Sequence, residues 1–144
     1  MAAEQHLRVV LCTEKDIPEL ARMNALLIAD EKADNTMTVT QLEQRMAEFV
    51  NTGYQAFFFE KGETRVGYAL VDMTVTPLYL RQLFIDRACR RQGYGKRSFA
   101  ALLSHLQAAD MDIDVYAWNH DGIAFWKALG FSERYTRMRF QSEA

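Results

Sequence analysis

The chain reads as an α/β protein: a mixed, mostly antiparallel central sheet flanked by helices. Two observations predict this. Short runs rich in β-branched and aromatic residues alternate with stretches of helical periodicity. The length of 144 residues, 49% of them hydrophobic and 25% charged, suits one globular core. No repeat or low-complexity linker divides the chain, so residues 1–144 read as a single domain.

Leu7 to Cys12 is a short apolar run and reads as a first strand. Ile17, Leu20, Ala21, Asn24, Leu27 and Ile28 then recur at helical spacing, with Pro18 tolerated in the first turn. Asp34-Asn35-Thr36 interrupts that helix. Thr38-Val39-Thr40-Gln41 has the form of a capping box, and the helix it opens places Leu42, Met46, Phe49 and Val50 on one face. Asn51-Thr52-Gly53 ends it. Tyr54 to Glu60 and Thr64 to Val75 read as two strands joined by a hairpin turn at Lys61-Gly62-Glu63. After Thr76-Pro77, Leu78 to Ile85 is a further strand. Tyr94 to about Ala109 reads as a helix burying Phe99, Leu102, Leu103 and Leu106. Ile113 to Trp118 reads as a strand, Gly122 to Leu129 as a helix stopped by Gly130, and Phe131 to Phe140 as a last strand. The predicted order is β-α-α-β-β-β-α-β-α-β, a sheet covered by helices.

The net charge of -2 speaks against a nucleic-acid or anionic-membrane partner, since Arg87, Arg90, Arg91, Lys96 and Arg97 form a local cluster without a wider basic stripe. The start, MAAEQHLRVVL, lacks a basic segment followed by a long apolar run, so no leader is expected. No apolar stretch is long enough to span a bilayer. Cys12 and Cys89 form no CxxC pattern, and free thiols in a reducing cytoplasm are the simplest reading. His6, His105 and His120 are scattered, and no metal site is expected.

The most informative segment is Arg90-Arg91-Gln92-Gly93-Tyr94-Gly95-Lys96, between a strand-like and a helix-like run. Two glycines allow a tight turn and close backbone approach. The helix start adds free N–H groups and the positive end of the dipole, which suits a phosphate. The bland alternative is a glycine turn with a solvated basic face. It is not a Walker loop, because Arg97 follows Gly95-Lys96 and Arg90 stands where the first glycine belongs. It is not a dinucleotide fingerprint either, because Ser98 replaces the third glycine.

With LFIDRACRRQGYGKRS and, later, NHDGIAFWKALGF, the chain resembles the GNAT superfamily of acetyl-CoA-dependent N-acetyltransferases. Leu83 and Ile85 match the paired apolar positions of that family's fourth strand, and Arg90, Gly93 and Gly95 fill its Arg/Gln-x-x-Gly-x-Gly/Ala motif. Asn119, the aromatic pair Phe125-Trp126 and Leu129-Gly130-Phe131 match its later motif. Together the motifs cover about the C-terminal half.

The resemblance implies that acetyl-CoA enters where the fourth and fifth strands splay apart. The backbone of Leu83, Phe84 and Ile85 would pair with the pantetheine arm like an added strand. The backbone of Arg91, Gln92, Gly93, Tyr94, Gly95 and Lys96 would hold the pyrophosphate, with Arg90 in the same motif. Asn119 would touch the pantetheine, and Phe125 and Trp126 would line the thioester end. Structural alternatives stand beside these roles: core packing for Leu83, Ile85 and Phe125, and a helix N-cap for Asn119.

The implied reaction is attack of a neutral primary amine, on a small molecule or a peptide, upon the thioester carbon. A lysine-like amine costs roughly 4 kcal/mol to deprotonate near pH 7, so a base or a water chain should help. Here the chain departs from the family pattern. Trp126 stands where many relatives carry a tyrosine that protonates the leaving thiolate, and an indole N–H is not an acid near neutral pH. Tyr116 is the candidate substitute, ahead of Tyr94 and Tyr79. No carboxylate stands at Tyr79 or Arg81, where relatives often place one. Arg81 has two candidate partners, Asp72 or an acidic acceptor. Glu31, with Asp30, is the candidate base at the acceptor cleft, against the bland reading of a solvated helix end. Catalysis by positioning and waters alone is a further option.

The sequence keeps two other classes open: a non-catalytic acyl-CoA sensor, favoured by Trp126, and a nucleic-acid binder. It does not name the acceptor. Many relatives are dimers, so a homodimer is one option for the assembly.

Overall fold

The computed structural model describes residues 7–143; the N-terminal segment that includes His6 lies outside the described residues. Five strands, β1 (Leu7–Leu11), β2 (Tyr54–Lys61), β3 (Thr64–Asp72), β4 (Leu78–Ile85) and β5 (Met111–Ile113), form one sheet in the order β1-β2-β3-β4-β5. The first three pairings are antiparallel and β4–β5 is parallel. Four helices accompany them: α1 (Ile17–Glu31), α2 (Val39–Asn51), α3 (Tyr94–Leu106) and α4 (His120–Ala128).

The sheet is the middle of three layers. One face packs Phe57, Phe59, Ala69, Val71 and Leu80 against Phe99 and Leu102 of α3, with Trp126 of α4 at the margin. The other packs Ala56, Phe58, Tyr68, Leu70 and Phe84 against Leu20, Met23 and Leu27 of α1 and Met46 of α2. Covered on both sides, β2 and β3 read as near-continuous apolar runs rather than as alternation. Burying each of Phe57, Phe58 and Phe59 stabilises by about 2–3 kcal/mol.

Local chemistry accounts for the helix ends. Thr38 Oγ1 accepts from the Gln41 N–H at 3.2 Å while Gln41 Oε1 accepts from the Thr38 N–H at 2.8 Å, so the capping box forms as expected. Gly62 turns the β2–β3 hairpin at φ 61°. Gly67 is needed for a different reason: a Cβ there would lie 1.9 Å from the Phe84 carbonyl oxygen on β4.

Two details of β4 shape everything that follows. Opposite β3, Gln82 pairs with Leu70 and Leu80 pairs with Val71, which leaves Arg81 as the extra residue of a β-bulge. On the other side, β5 pairs only with Leu78, Tyr79 and Leu80. From Arg81 onward that edge of β4 is open.

The fold class holds, with two corrections to the predicted elements. The strand expected over Ile113 to Trp118 ends at Ile113, because the chain leaves β4 there. The last strand, expected over Phe131 to Phe140, does not form. Its alternation of Thr136, Met138 and Phe140 with Arg137 and Arg139 is strand-like, but no neighbouring strand supplies hydrogen bonds, and Tyr135, Met138 and Phe140 are exposed. The order therefore ends at α4.

Candidate functional site

The open edge of β4 leads directly into the glycine segment. Arg91 at φ 64° and Gly93 at φ 77° both take left-handed backbone, and α3 begins at Tyr94. The first backbone N–H of this stretch with an acceptor is that of Arg97, which donates to the Gly93 carbonyl at 3.1 Å. The six N–H groups from Arg91 to Lys96 have no acceptor among the described residues. Such a row at a helix start is the concave, electropositive shape that takes an anion. A Cβ at Gly93 would meet nothing within 4 Å, so the space before this backbone is free.

Arg90 stands apart from its neighbours. Its Nε donates to the Ile85 carbonyl at 2.8 Å, and its Nη2 donates to Asp30 Oδ2 at the end of α1. Arg87 Nη2 donates to the other oxygen, Asp30 Oδ1, at 3.0 Å. The guanidinium of Arg90 is thus spent on holding the loop, leaving Arg91, Lys96 and Arg97 as its exposed cations.

Beside this clamp lies a hollow of about 270 Å³ lined by Asp30, Glu31, Lys32 and residues 118–121. Trp118 spans it by donating its indole N–H to the Glu31 carbonyl at 3.0 Å. Burial, and then the neighbouring Asp30 carboxylate, hold the Glu31 carboxyl above its ordinary 4.5. A carboxyl shifted upward is a stronger base than a free one, which suits it to accepting a proton.

Of the predicted residues, Glu31 and Asn119 line this hollow. Leu83, Phe84 and Ile85 lie on the open stretch of β4. Asn119 caps α4 by accepting from the Gly122 N–H at 3.0 Å. Phe125 lies so close to α3 that a Cβ at Gly95 would sit 3.0 Å from its Cε1. Trp126 packs edge-on against Phe99 at 5.7 Å and Phe131 at 5.2 Å between centroids. Tyr116 is exposed in the loop after β5, stacked on Trp118 at 4.7 Å and 17°. Tyr79 donates to Asp114 Oδ2 at 2.8 Å; burial, and then that bond, push its phenol well above 10.

The expected Arg81–Asp72 contact is absent: Asp72 Oδ1 accepts instead from Thr74 N and Oγ1 at 2.9 and 2.6 Å. The sequence reading gave Asp30 no role toward the loop and did not single out Trp118. Both roles depend on contacts between residues 57 or more positions apart, which no local pattern signals. Among the described residues, no three His, Cys, Asp or Glu side chains gather as a metal site, and no helix is long and apolar enough to cross a membrane.

A five-stranded sheet that opens at its fourth strand beside a bare loop is the fold of solved acetyltransferases. The structure is similar to a possible acetyltransferase from Clostridium difficile 630, with a TM-score of 0.77 at 12% identity over 96% of this chain and 99% of that one. It is also similar to an acetyltransferase from Thermus thermophilus, with a TM-score of 0.72 at 23% identity over 88% of this chain and 87% of that one. The aminoglycoside N-acetyltransferase AAC(6')-Iy, solved in complex with CoA, gives a TM-score of 0.72 at 14% identity over 100% and 99% of the two chains. Among curated proteins, none matches the chain in sequence. The chain belongs to the acetyltransferase (GNAT) family, whose model matches residues 20–131. That family uses acyl-CoA as its acyl donor.

Proposed function

We propose that the protein is an N-acetyltransferase that moves an acetyl group from acetyl-CoA to a primary amine. The observation that carries this reading is the row of unpartnered N–H groups from Arg91 to Lys96, at the end of an open strand edge. Phosphates would take those N–H groups, with Arg91 and Lys96 adding charge, while Leu83 to Ile85 offer backbone to the pantetheine arm. Arg90 acts one step back, fixing the loop through Asp30 and Ile85.

Bound acetyl-CoA would supply a thioester whose thiolate, with a thiol pKa of about 8.5, departs readily. The protein's part is to seat the amine, remove its proton and keep the reacting atoms in register. Glu31 is the proposed base, directly or through water, since its carboxyl is held above 4.5 beside the hollow. Tyr116 is the proposed proton donor to the thiolate, exposed in the loop after β5 and stacked on Trp118, which lines the hollow. Trp126 serves as packing that shapes the thioester end.

One observation favours a second reading, an acyl-CoA sensor without turnover: the aromatic at Trp126 is occupied in packing, and Tyr116 is held on Trp118. Thiol release in the presence of primary amines separates the two.

The direct test is thermal unfolding with acetyl-CoA, CoA and ATP side by side. Ligand at a hundred times its Kd should stabilise by about 2.7 kcal/mol, or about 5–10 °C for a chain of this size. A shift with both CoA species but not ATP supports the reading. The Gly93→Asp variant should lose that shift, because it places a carboxylate among the phosphates; a retained shift would remove the cradle assignment.

A further inference from the structure

The bulge in β4 sets two consecutive polar side chains against the α1–α2 layer. Gln82 Oε1 accepts from the fully buried Tyr68 hydroxyl at 2.7 Å. Arg81, the bulged residue, lays its guanidinium 4.8 Å from the Phe49 ring centroid and donates to the Tyr54 hydroxyl at 3.3 Å. From α2, Arg45 reaches the same Phe49 ring, its guanidinium carbon 5.4 Å from the centroid. Arg45 Nη2 donates to Oδ1 of the buried Asn24 at 3.0 Å. Its Nε is buried and has no partner among the described residues.

Two guanidiniums thus share one aromatic ring without a carboxylate in ion-pair contact with either. The nearby acid, Asp72, spends one oxygen on Thr74. Cation–π contact with Phe49 accounts for where the guanidiniums lie, but not for an Nε without a partner. Burial first, and then repulsion from Arg81, lower the pKa of Arg45, as expected for a cation that lacks a counter-charge. An oxyanion at the exposed Arg81 would relieve the repulsion, and a carboxylate matches the guanidinium fork.

The position ties this pair to the proposed chemistry. Arg81 lies two residues, about 7 Å along the strand, before Leu83, on the stretch that β5 leaves open. Burial first, and then the Glu31 carboxylate, raise the pKa of the Tyr68 phenol, while Arg45 lowers it. The proposed base Glu31, at the hollow beside α1, and this arginine pair would serve opposite ends of one acceptor.

The geometry points to an acceptor that carries a carboxylate as well as its primary amine, with Arg45 and Arg81 gripping the carboxylate while the amine faces Glu31. This rests on the acetyltransferase reading and names its substrate class as a small amino acid or a chain end of that form. It differs from a polycationic amine, which two arginines would repel.

The experiment measures acetyl-CoA-dependent thiol release on amines paired so that only the anion differs: β-alanine against its amide, and glycine against glycinamide. Taurine and O-phosphoethanolamine test sulfonate and phosphate in place of carboxylate, and spermidine tests the polycation. The amide amines are the weaker bases, so more of each is neutral and the comparison is biased against the proposal. The expected result is a kcat/KM at least tenfold higher for the carboxylate members than for their amides. In Arg81→Gln that preference should collapse through KM while kcat for β-alanine stays within severalfold. Arg81 is exposed, so that variant should fold; Arg45→Lys, which keeps the charge but loses the fork, is the second probe and should weaken the preference. Equal or better use of the amides or spermidine, a preference for sulfonate or phosphate, turnover of no carboxylate member, or an undiminished preference in Arg81→Gln would each overturn the inference. Each of these can occur with the acetyl-CoA thermal shift intact. Loss of that shift in the wild type instead overturns the donor reading.

Discussion

The carboxylate of Asp30, at the end of α1, holds the guanidinium of Arg90 sixty positions later in the chain. Its second oxygen takes Arg87. The loop that presents the bare N–H groups is thereby fastened to the helix that carries Glu31. Asp30→Ala should release both arginines and loosen the loop. Because Arg90 keeps its bond to the Ile85 carbonyl, the effect should be partial: about 1 kcal/mol, or roughly a fivefold loss in acetyl-CoA affinity. Isothermal titration calorimetry measures it, and unchanged affinity would mean the clamp has no bearing on the cradle.

Glu31→Gln separates stability from rate. A carboxyl whose folded pKa lies above its ordinary 4.5 makes the native state bind its proton more tightly than the unfolded chain does. Wild-type stability therefore falls as pH rises through the window above 4.5, and the full penalty is present at neutral pH. The Gln variant lacks that penalty. It should be the more stable protein at pH 7, with the gap closing as pH falls and vanishing below the ordinary carboxylate range. Its turnover should drop, and the acidic limb of the wild-type pH–rate profile should disappear. Denaturant melts across pH and initial rates give both readings; an unaltered acidic limb would remove Glu31 as the base.

Gly67→Ala should be poorly tolerated. The added methyl would lie 1.9 Å from the Phe84 carbonyl oxygen and 2.9 Å from its carbon, and both are backbone atoms of a central strand. Displacing β4 should cost about 3 kcal/mol or more, lowering the Tm by about 6–12 °C. Calorimetry on the purified variant tests this, and a Tm within about 2 °C of wild type would contradict the tight β3–β4 approach.

Trp126→Phe should act on packing more than on chemistry. It keeps an aromatic edge toward Phe99 and Phe131 but removes part of the contact area. We expect a loss of about 1–2 kcal/mol in stability with turnover within about threefold. A collapse of rate with acetyl-CoA binding intact would show instead that the indole takes part in the reaction.

How much of this was legible in the residues differs from place to place. The limits of β4 agree with the sequence because Leu78 to Ile85 is an apolar run bounded by Thr76-Pro77 and Asp86. The start of α3 follows from Gly93, whose positive φ few other residues accept. The segment after Ile113 misled because Val115, Tyr116 and Trp118 have strand propensity, yet Tyr116 and Trp118 form an aromatic stack and Trp118 also bridges to α1. Met138 and Phe140 misled in the same way: alternation signals a strand only where a partner edge exists. Arg45 carries no local signal of its role. Its tie to Asn24, across 21 positions, belongs to the tertiary structure alone.

Strand order carries a last consequence, for how the molecule opens. β2, β3 and β4 follow one another as a meander, so their ladders close short loops and form a cooperative block. β5 and α4 are attached to that block through only three strand pairings and the packing of α3 and α4 against one sheet face. The seam between the two parts runs along the open edge of β4. We expect the C-terminal unit to open at a free-energy cost below that of global unfolding, so amides of β5 and α4 should exchange with solvent sooner than those of β3. The proposed binding cleft and the weakest joint of the fold would then be the same place, and a ligand lying across it would act as a latch.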